Sequence, residues 1–233
     1  MNIICITGDT GAIGSGLIDK LLNFNDCKIY GCSKSKTKLS KKNYFHAIID
    51  TTNKKKVRNW FDKVYQKEKK IDVLICLSGT TLGGNLVYNF SDDEFNNSIS
   101  STLKSTFICN REVLKYFIKS KGGSIINISS ISAKKYLVGS AVYSSSKSAI
   151  TTFTKILAKE NINFNINANV ILPMYIQTQE TKKRGITWKK NILSMQDKKQ
   201  NGKIDQFVNL VRFLSDKNNK LITGQELSIG TIL

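Results

Sequence analysis

The chain has 233 residues, of which 40% are hydrophobic, and it carries a formal net charge of +19 at pH 7. This length and apolar content fit one folded domain spanning residues 1–233 and exclude a disordered chain. The sequence shows no apolar run of the ~18 residues that a membrane span needs, and its N-terminus does not resemble a signal peptide. Because the charge comes almost entirely from lysines spread along the chain, we predict a solvated basic surface and no nucleic-acid binding.

The first predicted strand, Asn2 to Ile6, leads directly into a glycine-rich turn and then into a helical pattern. Glycines let the backbone approach a pyrophosphate, and the N-terminus of the following helix stabilises its negative charge. Glycine turns between a strand and a helix also occur without ligands, but this context favours dinucleotide binding. The predicted cofactor contacts in the turn are Gly8, Thr10, Gly11 and Ile13.

A second predicted strand runs from Lys28 to Cys32 and is followed by Ser33 and Lys34. In a dinucleotide site this strand end faces the adenosine ribose, where a carboxylate would accept a hydrogen bond from the 2′-hydroxyl group. Here there is no carboxylate, and the positive charge of Lys34 and Lys36 favours an added 2′-phosphate. These lysines also fit the general lysine excess of the chain. We predict NADP in preference to NAD, bound in part by Ser33 and Lys34.

Two more strands and two helices are predicted before the centre of the chain. Tyr44 to Ile49 is the third strand, and Ile71 to Leu77 is a continuous apolar run, which is typical of a parallel strand buried on both faces. The run ends at Ser78 and Gly79, where we expect the loop to pass close to the cofactor. An amphipathic helix is predicted around 57–64, and a longer helical pattern extends from Asp92 to Lys119.

The stretch from Gly123 to Lys155 contains the candidate catalytic residues. An apolar run ends in two serines, of which Ser130 is the second, and a helical pattern opens around Tyr143. Tyr143 and Lys147 are four residues apart, so on a helix they share one face. An ammonium group beside a phenol favours the phenolate and lowers the pKa of the tyrosine, which suits general acid–base catalysis near neutral pH. A serine at the strand end, facing this pair, could hold a substrate oxygen.

The residues alone leave two alternatives to a catalytic role of Tyr143 and Lys147. Tyr-x-x-x-Lys occurs often by chance, so the pair by itself does not establish catalysis. Ser144 to Lys147 also matches the Ser-x-x-Lys motif of penicillin-binding proteins, although the companion Ser-Asp-Asn and Lys-Thr-Gly motifs are missing from the sequence.

The remaining segments complete an alternation of strands and helices. We predict a strand over Asn165–Leu172, a helix over Asp205–Leu214 and a final strand over Glu226–Ile229. The segment 177–202 is polar, basic and weakly periodic, which suits a substrate lid. The alternation predicts an α/β fold, with a single-domain Rossmann-type doubly wound parallel sheet and helices on both faces.

The five cysteines fall in or beside strand-like and helical runs and show no C-x-x-C spacing. This pattern predicts buried free thiols in a reducing compartment, and we expect a cytoplasmic protein. Because His46 is the only histidine, we predict neither a histidine-based triad nor a metal site.

From end to end the sequence resembles the classical short-chain dehydrogenases/reductases, including the oxoacyl-carrier-protein reductases. The motifs that match in order and spacing are the glycine-rich turn, Asp50-Thr51, the set of Ser130, Tyr143 and Lys147, Asn169–Pro173 through Thr178, Phe213–Asp216 and Thr223–Gln225. The resemblance implies that Tyr143 donates a proton, that Ser130 orients the substrate oxygen, and that Lys147 holds the nicotinamide ribose and lowers the pKa of Tyr143. The further cofactor contacts that it implies are Asp50, Pro173, Ile176 and Thr178.

Several positions depart from the family pattern. Ala12 stands at the second glycine of the turn, with Gly11 one place earlier, which is closer to the extended branch of the family. The asparagine of the family's proton relay aligns with Thr102. The other replacements are Cys76-Leu77-Ser78-Gly79 for Asn-Asn-Ala-Gly, Pro173-Met174 for Pro-Gly, and Ile229-Gly230-Thr231 for Asp-Gly-Gly.

Because the catalytic trio is complete, we predict an NADP(H)-dependent oxidoreductase that reduces a carbonyl to an alcohol, or the reverse, on a small or carrier-bound substrate. The alternative is a nucleotide-binding member of the family with little or no turnover that acts as a binding or regulatory protein. The apolar stripes over Asp92–Lys119 and Val142–Lys159 exceed what one sheet contact needs, and family members commonly pair these helices. We therefore predict a homo-oligomer, either a tetramer or a dimer.

Overall fold

The computed structural model describes residues 1–79, 85–178, 185–186, 190, 193–194, 196–200 and 202–232. Its strands are β1 (Asn2–Thr7), β2 (Cys27–Ser33), β3 (Tyr44–Ile48), β4 (Val73–Cys76), β5 (Gly123–Ile128), β6 (Ile166–Pro173) and β7 (Glu226–Ile229). They form one parallel sheet in the order β3-β2-β1-β4-β5-β6-β7. This order reverses direction at β1, as in doubly wound dinucleotide-binding folds, and it confirms the predicted fold class.

Helices cover both faces of the sheet. Those of the described residues are α1 (Ala12–Leu22), α2 (Lys54–Glu68), α3 (Asp92–Ile99), α4 (Ser105–Lys119), α5 (Ser132–Lys135), α6 (Ala141–Asn161) and α7 (Ile204–Ser215). Successive residues of β1 point to opposite faces, so Ile4 and Ile6 pack with α1 and α7, whereas Cys5 packs with α2, α4 and α6. Each face of the sheet therefore has its own hydrophobic core.

The predicted long helix over Asp92–Lys119 is interrupted. Between α3 and α4, residues Ser100–Lys104 form a π-helical turn with Thr102 buried inside it. The Thr106 side chain donates a hydrogen bond back to the Thr102 carbonyl oxygen at 2.8 Å, a local contact that competes with regular helix geometry. Such single π-helical turns are frequent at functional sites.

The described residues also test several other sequence predictions. All five cysteines are free and buried, as predicted. No helix of the described part of the chain combines the length and apolarity needed to cross a membrane. Much of the predicted lid over 177–202 lies outside the described residues, but Ile176 and Gly202 form a parallel β-bridge that brings the two ends of this segment together.

Candidate active site

The glycine-rich turn between β1 and α1 packs closely against the end of β4. Gly8 has a φ of +71°, and a Cβ atom there would lie only 2.8 Å from the backbone nitrogen of Ser78. A Cβ at Gly14 would overlap the Gly8 carbonyl oxygen. Gly11 is the N-cap of α1 and makes no side-chain capping bond, so the first N–H groups of the helix are left for other partners. Free N–H groups at the start of a helix fit a pyrophosphate.

The residues predicted around the adenosine ribose come together beside this turn. Thr10 Oγ1 donates a hydrogen bond to Ser33 Oγ at 2.9 Å, which joins the turn to the end of β2. Lys34 Nζ lies 3.1 Å from Asp50 Oδ2, in an ion pair between the ends of β2 and β3. The structure thus places Thr10, Ser33, Lys34 and Asp50 along one edge of the sheet.

The Lys34–Asp50 ion pair was not predicted from the sequence. Asp50 is held in place from its other side, because Asp50 Oδ1 accepts hydrogen bonds from Thr52 N at 2.9 Å and from Thr52 Oγ1 at 2.7 Å. Burial raises the pKa of Asp50, but the Thr52 hydrogen bonds and Lys34 outweigh that effect and the pKa is lowered overall. Lys34 therefore already has a carboxylate partner within the chain.

The three candidate catalytic residues converge at the carboxyl ends of β4 and β5. Ser130 lies two residues beyond β5, and its Oγ accepts from Ser132 N at 3.2 Å and shares a 2.7 Å hydrogen bond with Ser132 Oγ. Tyr143 and Lys147 lie in the first two turns of α6, with Lys147 Nζ 5.7 Å from the centroid of the Tyr143 ring. Lys147 Nζ also donates a hydrogen bond to the Ile128 carbonyl oxygen at 2.8 Å.

Burial controls the protonation of both residues on α6. Burial raises the pKa of Tyr143, and a hydrogen bond with the Ser130 side chain opposes the rise only in part. The direction is opposite to the lowering that the sequence predicted. The reason is that desolvation is the larger influence and that the Lys147 ammonium, which donates to the Ile128 carbonyl oxygen, does not offset it. Burial also lowers the pKa of Lys147 itself to about 8, an effect that Cys76 opposes.

The end of β4 and the π-helical turn meet beside Lys147. A Cβ atom at Gly79 would lie 3.2 Å from Thr102 Oγ1 and 3.7 Å from Lys147 Nζ, so both side chains border the space that a side chain at position 79 would occupy. Thr102 Oγ1 is buried and has no hydrogen-bond partner among the described residues. Thr102, the residue that the sequence aligns with the family's relay asparagine, therefore lies beside Gly79 and close to Lys147.

The predicted cofactor contacts Pro173, Ile176 and Thr178 lie at and just beyond the end of β6. The Pro173 carbonyl oxygen accepts a hydrogen bond from Ile131 N at 3.5 Å, next to Ser130. Met174 is buried, and its sulfur would lie 3.1 Å from a Cβ at Gly230. Ile176 packs its side chain into the core that α1 and α7 share. Thr178 is the last described residue before the gap at 179–184.

The sequence interpretation missed two polar clusters next to the site. Asp9, inside the glycine-rich turn, is buried and contacts Tyr44 and His46 of β3. A second cluster joins the amides of Asn110 and Asn127 inside the core. The signal for the first was a carboxylate inside a glycine-rich turn, while the second had no signal. No group of three or more potential metal-ligating side chains occurs within the described residues.

Comparisons with known proteins agree with this geometry. The family described as short chain dehydrogenase matches residues 2–188. The chain is 31% identical to 3-oxoacyl-[acyl-carrier-protein] reductase FabG of Rickettsia bellii, with 97% of this chain and 93% of that protein covered. It is 30% identical to the protein of the same name from Chlamydia pneumoniae, with 97% and 94% covered. The solved structure of ElxO with NADP bound superposes with a TM-score of 0.91 at 26% identity, covering 98% of this chain and 96% of that one.

Proposed function

Because the chain belongs to the short-chain dehydrogenase/reductase family, we propose that this oxidoreductase uses NADP(H) to interconvert a carbonyl and an alcohol on a small or carrier-bound substrate. The observation that carries the proposal is the convergence of Ser130, Tyr143 and Lys147 beside the glycine-rich turn. Relatives named 3-oxoacyl-carrier-protein reductase support the substrate class, and a similar structure with NADP bound supports the cofactor.

The proposed cofactor site follows the carboxyl edge of the sheet. The nicotinamide cofactor would exchange a hydride with the substrate carbon, while the protein holds the cofactor and moves the proton. The turn offers backbone and helix N–H groups for a pyrophosphate, and Ser33 and Lys34 lie where the adenosine ribose would bind. The residues assigned to hold the cofactor are Gly8, Thr10, Gly11, Ile13, Ser33, Lys34, Asp50, Ser78, Gly79, Tyr143, Lys147, Pro173, Ile176 and Thr178.

Tyr143 is proposed as the proton donor to the substrate oxygen. Its raised pKa keeps the phenol protonated at neutral pH, which suits donation to the negative charge that develops when a carbonyl is reduced. Lys147 is charged below about pH 8, and its ammonium would stabilise the phenolate that Tyr143 becomes after donating its proton. Ser130 Oγ can donate to the same substrate oxygen when it accepts its hydrogen bond from Ser132 Oγ.

The test combines binding with turnover on purified protein. Fluorescence titration measures NADPH affinity, and loss of the reduced-nicotinamide absorbance with an acetoacetyl thioester and with small ketones measures turnover. We expect both binding and turnover, with turnover lost in Tyr143→Phe and kept in Tyr136→Phe, a matched change at an exposed tyrosine. Binding without turnover on any of these carbonyl compounds would favour the alternative of a nucleotide-binding protein, and absence of NADPH binding would refute the proposal.

A further inference from the structure

Asp9 places a fully buried carboxylate inside the glycine-rich turn. Its side chain is 0% exposed, and Asp9 Oδ2 accepts a hydrogen bond from the Tyr44 hydroxyl group at 2.6 Å. The same oxygen lies 2.7 Å from His46 Nδ1, on the strand at the edge of the sheet. A buried carboxylate is costly unless hydrogen bonds and an opposite charge compensate it, so the pairing with the only histidine of the chain calls for an explanation.

The neighbouring strand leaves space for this carboxylate. Gly31 of β2 pairs directly with His46 of β3, and a Cβ atom at Gly31 would overlap the Asp9 carboxylate. Any other residue at position 31 would expel the Asp9 side chain. Asp9 Oδ1 and His46 Nε2 are both buried and have no hydrogen-bond partner among the described residues. The absence of a side chain at Gly31 therefore makes room for the Asp9 carboxylate, and each partner of the pair keeps one polar atom without a hydrogen bond among the described residues.

Around this pair, the other titratable groups are neutral or compensated. Burial, followed by the hydrogen bond to Asp9, raises the pKa of Tyr44, and burial together with the charge of Asp9 raises the pKa of Cys32 of β2. Both groups stay protonated and uncharged near neutral pH. On the loops and α1 nearby, Lys34 pairs with Asp50 and Lys41 pairs with Asp19, at 3.1 and 2.8 Å. The cluster therefore carries a net negative charge when His46 is neutral and close to none when His46 is protonated.

We propose that His46 is a positioning residue whose protonation sets the affinity of the turn for its anionic cofactor. Asp9 stands between Gly8 and Thr10, two of the residues assigned to hold the cofactor, so its charge repels a bound pyrophosphate. An imidazolium at His46 cancels that repulsion, so the affinity for the cofactor is higher while His46 is protonated than after it has lost its proton. This inference rests on the proposed function, because it concerns the same cofactor site.

The first experiment measures the dissociation constant of NADPH at about pH 5.5 and about pH 8 in the parent protein and in His46→Asn. The asparagine amide retains a donor near the Nδ1 position but never carries a charge. We expect the affinity of the parent protein to fall about tenfold more than that of the variant, the effect of removing one nearby charge. The 2′-phosphate of the ligand titrates equally in both experiments, so its contribution cancels.

The second experiment uses the fact that the chain has a single histidine. One imidazole signal in a proton NMR titration reports His46, and its midpoint should move to higher pH when NADP⁺ is bound, because linkage is reciprocal. In Asp9→Asn, which keeps the side-chain volume, the pH dependence of NADPH affinity should disappear. NADPH binding with the same pH dependence in parent and His46→Asn would overturn this inference alone. Failure of the parent protein to bind NADPH at any pH would instead refute the proposed function, and this inference with it.

Discussion

The side-chain amides of Asn110 and Asn127 exchange two hydrogen bonds in the core, at 2.9 and 3.0 Å, and thereby join α4 to β5. Asn127 Nδ2 also donates to Thr154 Oγ1 of α6 at 3.0 Å, and Asn110 Nδ2 donates to Cys76 Sγ of β4 at 3.3 Å. A single polar network therefore connects the two strands whose ends form the site with the helix that bears Tyr143.

We expect Asn127→Ala to lower the free energy of unfolding by about 2–4 kcal/mol. The substitution leaves Asn110 Oδ1 buried without its donor and removes one hydrogen bond from Thr154 Oγ1, which keeps its bond to the Ile150 carbonyl oxygen at 2.7 Å. An orphaned buried acceptor costs more than the lost bond itself. Urea denaturation measures the change. Asn96→Ala, at an exposed position of α3, is the matched control and should stay within about 0.5 kcal/mol of the parent. A loss at Asn127 no larger than at Asn96 would show that the network contributes no stability.

Removing the phenol of Tyr143 should abolish most of the turnover. In Tyr143→Phe the ring and its packing remain, but the transferable proton is gone, so we expect turnover to fall at least about a hundredfold. NADPH affinity should stay within about twofold of the parent, because the phenylalanine ring remains in place and the other residues assigned to hold the cofactor are unchanged. Steady-state kinetics and fluorescence titration separate the two effects. A phenylalanine variant that retains parental turnover would rule out Tyr143 as the proton donor.

The buried Lys147 predicts how activity depends on pH. Its pKa in the folded protein is about 8, below the ordinary value of 10.5, so it loses its proton as the pH rises through about 8. We expect kcat/KM for carbonyl reduction to fall above about pH 8, since this parameter reports the free enzyme. A profile that stays flat to pH 10 in the reduction direction would exclude a role for the Lys147 charge.

The same shift predicts the pH dependence of stability. Between about pH 8 and 10.5 the unfolded chain holds a proton at residue 147 that the folded protein has lost. The free energy of unfolding therefore gains a positive contribution from Lys147 as the pH rises through this window, and below about pH 8 that contribution is absent. Urea denaturation at several pH values, compared with Lys147→Met, isolates it. A parent and variant with the same pH dependence would contradict the assignment.

Elements that depend on local sequence were predictable. The seven strands lie at the predicted positions because each is a short apolar run bounded by turn residues, and the helix spacing placed Tyr143 and Lys147 on one face. Contacts between residues far apart in the chain were not. Asp9 and His46 are 37 positions apart in the sequence, and nothing near either of them in the sequence indicates that they meet over Gly31.

The pKa of Tyr143 likewise could not be predicted from the sequence. The spacing of Tyr143 and Lys147 predicted a lowered pKa, because charge was the only influence visible in the sequence. The structure adds burial, which dominates, and an acceptor for the Lys147 ammonium at the Ile128 carbonyl oxygen. The π-helical turn around Thr102 was likewise hidden, since its residues have an ordinary helical pattern.

We predict a homo-oligomer formed through the outer faces of α3, α4 and α6. Phe95 of α3, Phe107 of α4 and Ile156 of α6 are 48%, 42% and 50% exposed. Large apolar side chains that are exposed together indicate a protein–protein interface. Light scattering at micromolar concentration in moderate salt should give at least a dimer mass. Ile156→Lys should shift it toward the monomer, whereas Leu221→Lys, at a 95% exposed leucine outside these helices, should not. A monomeric parent protein would contradict the prediction.

Cofactor preference depends on how Lys34 divides its charge between Asp50 and a 2′-phosphate. The Lys34 side chain is 64% exposed and that of Asp50 is 38% exposed, so their ion pair is worth only about 0–1 kcal/mol, and a phosphate can replace the carboxylate at little cost. A charge-assisted contact to phosphate contributes about 1.5–3 kcal/mol. We therefore expect NADPH to bind about ten- to a hundredfold more tightly than NADH at fixed pH, with the difference shrinking as salt rises.

Two substitutions at the end of β2 should reverse this preference. In Ser33→Asp with Lys34→Ala, a new carboxylate accepts a hydrogen bond from the ribose 2′-hydroxyl of NADH and repels a 2′-phosphate, while the cation that attracts it is gone. Lys36→Ala removes the same charge two residues further along, where it attracts a 2′-phosphate at longer range and without a direct contact, so it should change the NADPH/NADH ratio less than about threefold. Titration of both cofactors at low salt gives the ratio. Equal affinities of the parent protein for NADPH and NADH would mean that Lys34 stays with Asp50, and the preference for NADP would then have to be abandoned.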